Sequence, residues 1–137
     1  MNLVDALLAA DKNQLLNPQT KEYEVTRLSN ILGQPFILTL KAISSKRYTE
    51  IQGMAVRVKK NGSNEINLYQ LQILTLVDGI QSPSLNSPEL LKHFNAASPA
   101  DLLNKLLLAG EISDIAGEIS KLSGYDDIEE KVEEVKN

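Results

Sequence analysis

The residues that could do chemistry are few and dispersed. The chain has one histidine, His93, and no cysteine, which argues against a thiolate nucleophile and against a metal site built from histidine and cysteine. No serine lies in a G-x-S-x-G or S-x-x-K motif. The glycines of NGSN and LSGYDD follow neither phosphate-binding loop pattern. The sequence therefore predicts a protein that is not an enzyme, with no cofactor and no metal.

Carboxylates are the remaining candidates for chemistry. Acids are dispersed over residues 1–125, and linear spacing does not show which of them lie at the separation that a pair of catalytic carboxylates needs. A carboxylate-pair hydrolase is therefore unsupported rather than excluded.

Charge is concentrated at one end of the chain. Residues 126–137 hold six acids and two lysines, a net charge of −4 that equals the net charge of the whole chain. The balanced remainder offers nucleic acid and anionic lipid no general attraction. The only basic cluster comprises Lys46, Arg47, Arg57, Lys59 and Lys60. Because no aromatic residues interleave with these cations, a solvated face is favoured over phosphate binding. We expect neither a nucleic acid nor a membrane partner.

Several features indicate the cytoplasm as the location. The longest apolar runs, such as ILTLV at 73–77, fall well short of the roughly 20 residues of a membrane-spanning helix. The start MNLVDALLAADKNQ lacks the basic region of a signal peptide. The absence of cysteine suits a reducing compartment.

The first part of the chain predicts a helix followed by two strands. Within 2–10, Leu3, Val4, Leu7 and Leu8 recur at helical spacing, which indicates a short amphipathic helix. KEYEVTRL and PFILTLKAI then alternate polar and apolar residues, as half-buried strands do. The six residues SNILGQ between them suit a hairpin loop. We predict an antiparallel β-hairpin over 20–42, covered by helices because two strands alone are marginally stable.

The centre of the chain predicts four helices. Ser44 or Ser45 can cap a segment whose apolar stripe is Tyr48, Ile51, Met54, Ala55 and Val58, with Gly53 permitting a close approach. INLYQLQILTLVDGI is apolar almost all round and too long for a typical strand, so we predict a buried helix. SPELLKHF and SPADLLNKLL each begin with a serine cap, a proline and an acid in the first turn.

The stretch LLNKLLLAGEISDIAGEISKLSG, residues 102–124, predicts two helical segments, the first of which continues the helix that begins at SPADLLNKLL. Four leucines of the first segment share one face, and Leu108 lies off that face. Ala109 and Gly110 break the register, after which Ile112, Ile115, Ile119 and Leu122 resume the helical spacing. Gly124 suits a C-terminal cap. Leu108 is therefore a candidate for contact with a partner, the alternative being core or loop packing.

These patterns together predict an α+β fold, predominantly α-helical, with one antiparallel β-hairpin packed against about five to six helices. Residues 1–125 would form a single compact domain whose helices extend to 123. Residues 126–137 would form an acidic tail, flexible or conditionally helical, since Ile128, Val132 and Val135 make only a thin apolar stripe.

Two long runs resemble a known family. RLSNILGQPFILTLKAISSKRYTEIQGMAV and INLYQLQILTLVDGIQSPSLNSPELLKHFNAASPADLLNKLLLAGEISDIAGEISKLSG are similar to the tail assembly chaperones of tailed phages and of phage-like elements of Gram-positive bacteria. Defective contractile-tailed prophages of Bacillus typify this family. The most specific pieces are LG-x-PF-x-L-T-L, K-R-Y-T-E-I-Q and L-L-x-K-L-L-L-A-G-E-I. None of them is a catalytic motif, and the similarity covers about Leu3 to Tyr125.

The resemblance implies a non-enzymatic phage assembly factor. Such a chaperone would bind the tape measure protein, keep it soluble, help recruit tail tube subunits, and be absent from the finished virion. It also implies that a ribosomal frameshift could replace the tail from Asp126 onward with an extension that contacts the tube protein. Oligomerisation is left open. The alternative is a minor structural component of the tail or of the head-tail junction.

The candidate protein-binding residues are Leu3, Val4, Leu7, Leu8 and Leu108. An apolar stripe on a helix outside the compact body suits helix-in-groove recognition of a helical partner. The alternative for the N-terminal stripe is packing against the core of its own chain. Both alternatives fit the sequence.

Overall fold

The structure, a computed structural model, describes residues 2–125. The helices in this range are α1 (Leu3–Ala9), α2 (Lys12–Leu16), α3 (Thr26–Leu32), α4 (Ser45–Met54), α5 (Leu68–Gly79), α6 (Pro88–His93), α7 (Pro99–Leu106) and α8 (Ala109–Leu122). The strands are β1 (Thr20–Glu24), β2 (Ile37–Lys41), β3 (Val56–Val58), β4 (Asn64–Ile66) and β5 (Ile80–Ser82). The acidic tail predicted over 126–137 lies outside the described residues.

The predicted helix-rich α+β class is confirmed. β1 and β2 pair antiparallel, as expected, with Tyr23 opposite Leu38. The short strand β5 pairs with the other side of β2, which makes β2 the centre of a three-stranded sheet. β3 and β4 form a separate antiparallel ribbon. Eight helices, rather than five to six, occur in residues 2–125 because the N-terminal segment contains two and the β1–β2 connection contains one.

The connection between β1 and β2 contains a helix, so the predicted hairpin loop is wrong. The strand predicted over KEYEVTRL ends at Glu24, and Thr26–Leu32 form the helix α3. Gly33, at φ 72°, ends this helix in the left-handed conformation that suits glycine. The Oγ of Ser29 accepts a hydrogen bond from the Phe36 amide at 2.8 Å, which returns the chain to β2.

The core lies between the sheet and the helices α5 and α8. α5 packs against α8, α4 and α7, and α8 also packs against β2. The side chains of this core that are fully buried are Leu40, Ile51, Leu76, Ile115 and Ile119. The buried hydroxyl of Thr75 donates to the Leu71 carbonyl oxygen at 2.7 Å, so its polarity is satisfied within α5.

The predicted helix caps are present. Ser44, Ser87 and Ser98 each accept a backbone amide three residues ahead, at 3.1 to 3.3 Å. Beyond α8, Gly124 has φ 99°, and its amide donates to the Lys121 carbonyl while the Tyr125 amide donates to the Ser120 carbonyl. This pair of hydrogen bonds is the Schellman motif, which satisfies carbonyl groups at a helix end.

Two details of the predicted α4 segment are wrong. Val58 lies in strand β3 and not on the helix, because α4 ends at Met54. Gly53 does not permit a close approach, since a Cβ at this position would meet no atom within 4 Å. The close approach is made instead by Gly79, at the end of α5, which faces Ile119 of α8.

Candidate protein-interaction surface

The N-terminal arm, residues 2–17, folds into two short helices that are defined by their own polar residues. Asn2 caps α1 by accepting the Asp5 amide at 2.8 Å, and Asp11 caps α2 by accepting the Asn13 amide at 2.9 Å. Such caps satisfy amides that have no partner within the helix. α1 ends within one residue of the predicted boundary, whereas α2 was not predicted.

The apolar side chains of the arm point away from the core. Leu3, Val4, Leu7 and Leu8 are between 62% and 84% exposed, and α1 contains no buried residue. At 100° per residue these four side chains sweep about 140° of the helix surface. The structure therefore leaves a complete amphipathic stripe uncovered by residues 2–125.

The arm joins the folded body at the start of β1. The Ala42 amide donates to the Gln19 carbonyl oxygen at 2.9 Å, which extends the β1–β2 ladder up to the end of the arm. Pro18, together with Ile43 and Ser44, lines a surface depression at this corner. The arm is thus anchored at one end to the sheet.

Leu108 occupies the turn between α7 and α8. Its side chain is 57% exposed, while its amide donates to Oε1 of Glu111 at 2.8 Å. Arg27 of α3 holds this turn, because its Nη2 lies 2.9 Å from the same carboxylate oxygen and 2.7 Å from the Leu106 carbonyl oxygen. The Arg27 hydrogen bond lowers the pKa of Glu111 and raises the pKa of Arg27. The turn that carries the exposed Leu108 side chain is therefore held in place by hydrogen bonds from Arg27 and to Glu111.

The predicted candidates do not form one cluster. Leu3, Val4, Leu7 and Leu8 share the α1 stripe, whereas Leu108 lies on a different element, and no hydrogen bond or ion pair among residues 2–125 connects the two places. Sequence reasoning missed Leu15 and Leu16 on α2, which are also exposed. Their adjacency to a polar KNQ segment gave only a weak signal for a second amphipathic turn.

A second exposed apolar surface was also missed. Val56 of β3 lies opposite Ile66 of β4, and Val58 follows on the same face of the ribbon. These side chains are 41%, 61% and 74% exposed, in the order Val56, Ile66 and Val58. Assigning Val58 to the α4 helix hid the strand alternation that could have revealed this face.

The single histidine lies apart from these surfaces. His93 is exposed at the end of α6, and its ring and that of Phe94 pack in a T-shaped arrangement at a centroid distance of 4.9 Å. Over residues 2–125, no group of three or more histidine, aspartate or glutamate side chains is placed to hold a metal ion. None of the helices in this range is long and apolar enough to cross a membrane.

A family model matches nearly the whole chain. The model for the Phage XkdN-like tail assembly chaperone protein matches residues 4–136. This match confirms the family that the sequence resembles, while the narrower likeness to defective prophages of Bacillus stays a prediction. No curated protein sequence matches the chain.

A solved structure shares the fold. The crystal structure of the protein YqbN, a structural genomics target, matches with a TM-score of 0.59 at 18% sequence identity. The alignment covers 86% of this chain and 99% of that one. At this identity the likeness supports the fold alone.

Proposed function

Because the chain belongs to the family of XkdN-like phage tail assembly chaperones, we propose that it binds the tape measure protein and keeps that protein soluble. Binding is non-covalent, and the complex helps recruit tail tube subunits. The chaperone acts in the cytoplasm of the bacterial host, catalyses no reaction and is absent from the mature virion.

The observation that carries this proposal is the uncovered stripe of α1. Leu3, Val4, Leu7 and Leu8 are largely exposed on a capped helix, and contiguous apolar surface of this kind marks interaction sites. A helix with a stripe about 140° wide suits contact with another amphipathic helix or with an apolar groove. Long helical proteins with apolar seams aggregate when those seams are exposed, so covering a seam keeps the partner in solution.

Leu108 supports a second contact. Its turn is held by Arg27 and Glu111, so the exposed side chain is presented without much loss of conformational freedom on binding. Two separated apolar contacts on one chaperone bind a long partner more tightly than either contact alone, because the second contact forms at high effective concentration.

Contact with the tail tube protein is assigned to an alternative C-terminal extension. A ribosomal frameshift near the codons for Asp126–Asn137 would replace the acidic tail with a different segment. Translation of the 3′ end of the gene in the other reading frames tests this point, and the absence of any open extension there would remove the assignment.

Co-expression tests the proposal. The tape measure protein of the same gene cluster is produced with and without this chain, and the soluble fraction and co-purification are measured. We expect the tape measure protein to be soluble only with the chaperone and to elute with it. A tape measure protein whose solubility and elution do not depend on this chain would overturn the proposal.

Mass spectrometry of purified tails separates the chaperone from the alternative, a minor structural component. A chaperone is depleted from finished particles, whereas a structural component persists at a fixed ratio to the tube protein.

A further inference from the structure

The α4–ribbon surface, formed by α4 and the β3–β4 ribbon, carries cations that form no ion pair with an acid in residues 2–125. The ion pairs of this region engage Arg47 and Lys59. Lys46, Arg57 and Lys60 take part in no ion pair with residues 2–125. The span 56–66 contains three cations and one acid, so it keeps a net charge of +2.

The same surface is apolar on one face of the ribbon. Val56, Val58 and Ile66 lie on that face, while Arg57 and Glu65 are cross-strand neighbours on the opposite face. Met54 at the end of α4 and Leu68 at the start of α5 are exposed beside the ribbon. An occupant that fits this surface combines apolar side chains with negative charge.

Residues 126–137 have this composition. Ile128, Val132 and Val135 are spaced among six acids, and the segment has a net charge of −4. The charges of the segment and of the ribbon are therefore opposite, and both combine charge with apolar side chains.

The described chain ends within reach of this surface. The ring of Tyr125 packs on Tyr48 in α4, with a centroid distance of 5.1 Å. Ser123 is held to the body by the Ile43 amide, at 2.9 Å from its Oγ. From Tyr48, α4 runs toward the ribbon, and its 10 residues extend about 15 Å at 1.5 Å per residue. Twelve extended residues span about 40 Å, so residues 126–137 are long enough to reach from Tyr125 to the ribbon.

We propose that residues 126–137 dock on the α4–ribbon surface of their own chain and cover its exposed apolar face. This inference does not depend on the proposed binding of the tape measure protein. The contact is intramolecular, so it forms at the high effective concentration that a short tether provides. Because it depends on exposed charges, it weakens with salt, and an acidic partner can displace it.

Paramagnetic relaxation enhancement tests the proposal on the full chain. The protein has no cysteine, so Asn137→Cys places a single nitroxide spin label without removing an acid. We expect the amide signals of residues 54–66 to lose intensity, while those of the N-terminal arm and of α6 keep theirs. Raising the ionic strength from about 0.1 M to about 1 M shortens the Debye length from about 10 Å to about 3 Å, so the loss should diminish.

A pair of matched variants checks the role of charge. Arg57→Gln with Lys60→Gln should reduce the loss of intensity. Lys12→Gln with Lys92→Gln removes the same charge from the arm and from α6 and should leave the loss unchanged. All four side chains are exposed and take part in no ion pair with residues 2–125, so folding should be retained, which the amide spectrum verifies.

Three outcomes would overturn the proposal. The first is a loss of intensity that is uniform or lies elsewhere, for example around Lys41 and Arg47. The second is an equal loss when isotope-labelled chains without spin label are mixed with spin-labelled chains, which indicates docking on a second copy. The third is a loss that the Arg57→Gln and Lys60→Gln pair does not change.

Discussion

Gly79 of α5 and Ile119 of α8 approach so closely that no larger residue fits between the two helices. A Cβ built on Gly79 would lie 2.5 Å from Cδ1 and 2.7 Å from Cγ2 of Ile119, and Cβ atoms essentially never come within 3.0 Å of a neighbouring atom. Ile119 is fully buried, so its side chain has no room to move aside. This contact sets how closely the two central helices pack.

Gly79→Ala should therefore destabilise the fold, by about 1–3 kcal/mol, as overpacking of a filled core does. Unfolding in denaturant measures the change. Gly117→Ala is the matched control, because this exposed residue of α8 has open space around it. The control should raise stability by about 0.5–1 kcal/mol through its higher helix propensity.

Ile119→Ala removes the atoms that Gly79→Ala would meet. The two substitutions should be strongly non-additive, with Gly79→Ala costing little in the Ile119→Ala background. An equal cost in both backgrounds would locate the clash elsewhere.

Substitution in the α1 stripe should separate binding from folding. Leu7→Glu combined with Leu8→Glu should abolish co-purification with the tape measure protein, because both charges enter the proposed apolar contact. Both side chains are exposed, so the free energy of unfolding should change by less than about 0.5 kcal/mol.

Ala9→Glu is the control for that pair. At 100° per residue Ala9 lies roughly opposite the centre of the stripe, so the added charge should leave binding intact. A large fall in melting temperature for the Leu7 and Leu8 pair would instead indicate that the stripe packs against its own chain.

The Arg27–Glu111 pair should make stability depend on pH. The pKa of Glu111 in the folded state lies below its ordinary value of 4.5, chiefly because of its hydrogen bonds from Arg27. A carboxyl with a lowered folded pKa stabilises the fold at pH values above its unfolded pKa, and this contribution is lost as the pH falls through the folded pKa. Melting temperature should therefore drop below about pH 4.5.

Glu111→Gln should reduce the fall in melting temperature that occurs at acidic pH. It should also lower the melting temperature at neutral pH by a few degrees. Part of the fall in melting temperature at acidic pH should remain, because the pKa of Asp101 is also lowered. The main cause of that lowering is a hydrogen bond from the Ala97 amide. Identical pH profiles for the variant and the parent would show that Glu111 does not contribute.

The Ser98 cap should contribute measurably to the free energy of unfolding through its hydrogen bond to α7. Its Oγ accepts the Asp101 amide at 3.1 Å, and α7 carries the buried Leu102 and Leu103. Ser98→Ala should cost about 1 kcal/mol, while Ser98→Asp, which keeps the acceptor, should cost much less. Equal losses for both variants, measured in denaturant, would argue against a capping role.

Local patterns predicted six of the eight helices in residues 2–125, because caps and apolar spacing act over a few residues. Ser87 and Ser98 cap α6 and α7, and Gly124 adopts the left-handed conformation beyond α8. The antiparallel pairing of β1 with β2 was also predicted, since it depends on alternation within two neighbouring segments.

The helix α3 could not be predicted in the same way. TRLSNIL is short, and its apolar residues suit a strand end, a loop or a helix equally well. The helix contacts distant residues, since Leu28 lies in the buried core and Arg27 binds Glu111, which is 84 positions away. The strand β5 and the ribbon are likewise too short to stand out from local alternation.

The sequence by itself determined the family, the helix-rich α+β class, and the apolar stripes of α1 and α8. Only the tertiary structure decided which stripes are covered. The stripe of α8 includes Ile115 and Ile119, which are fully buried, whereas the similar stripe of α1 is left largely exposed. Burial depends on which distant surfaces meet in the folded chain. A local pattern of seven to fourteen residues does not encode which surface, if any, covers a stripe.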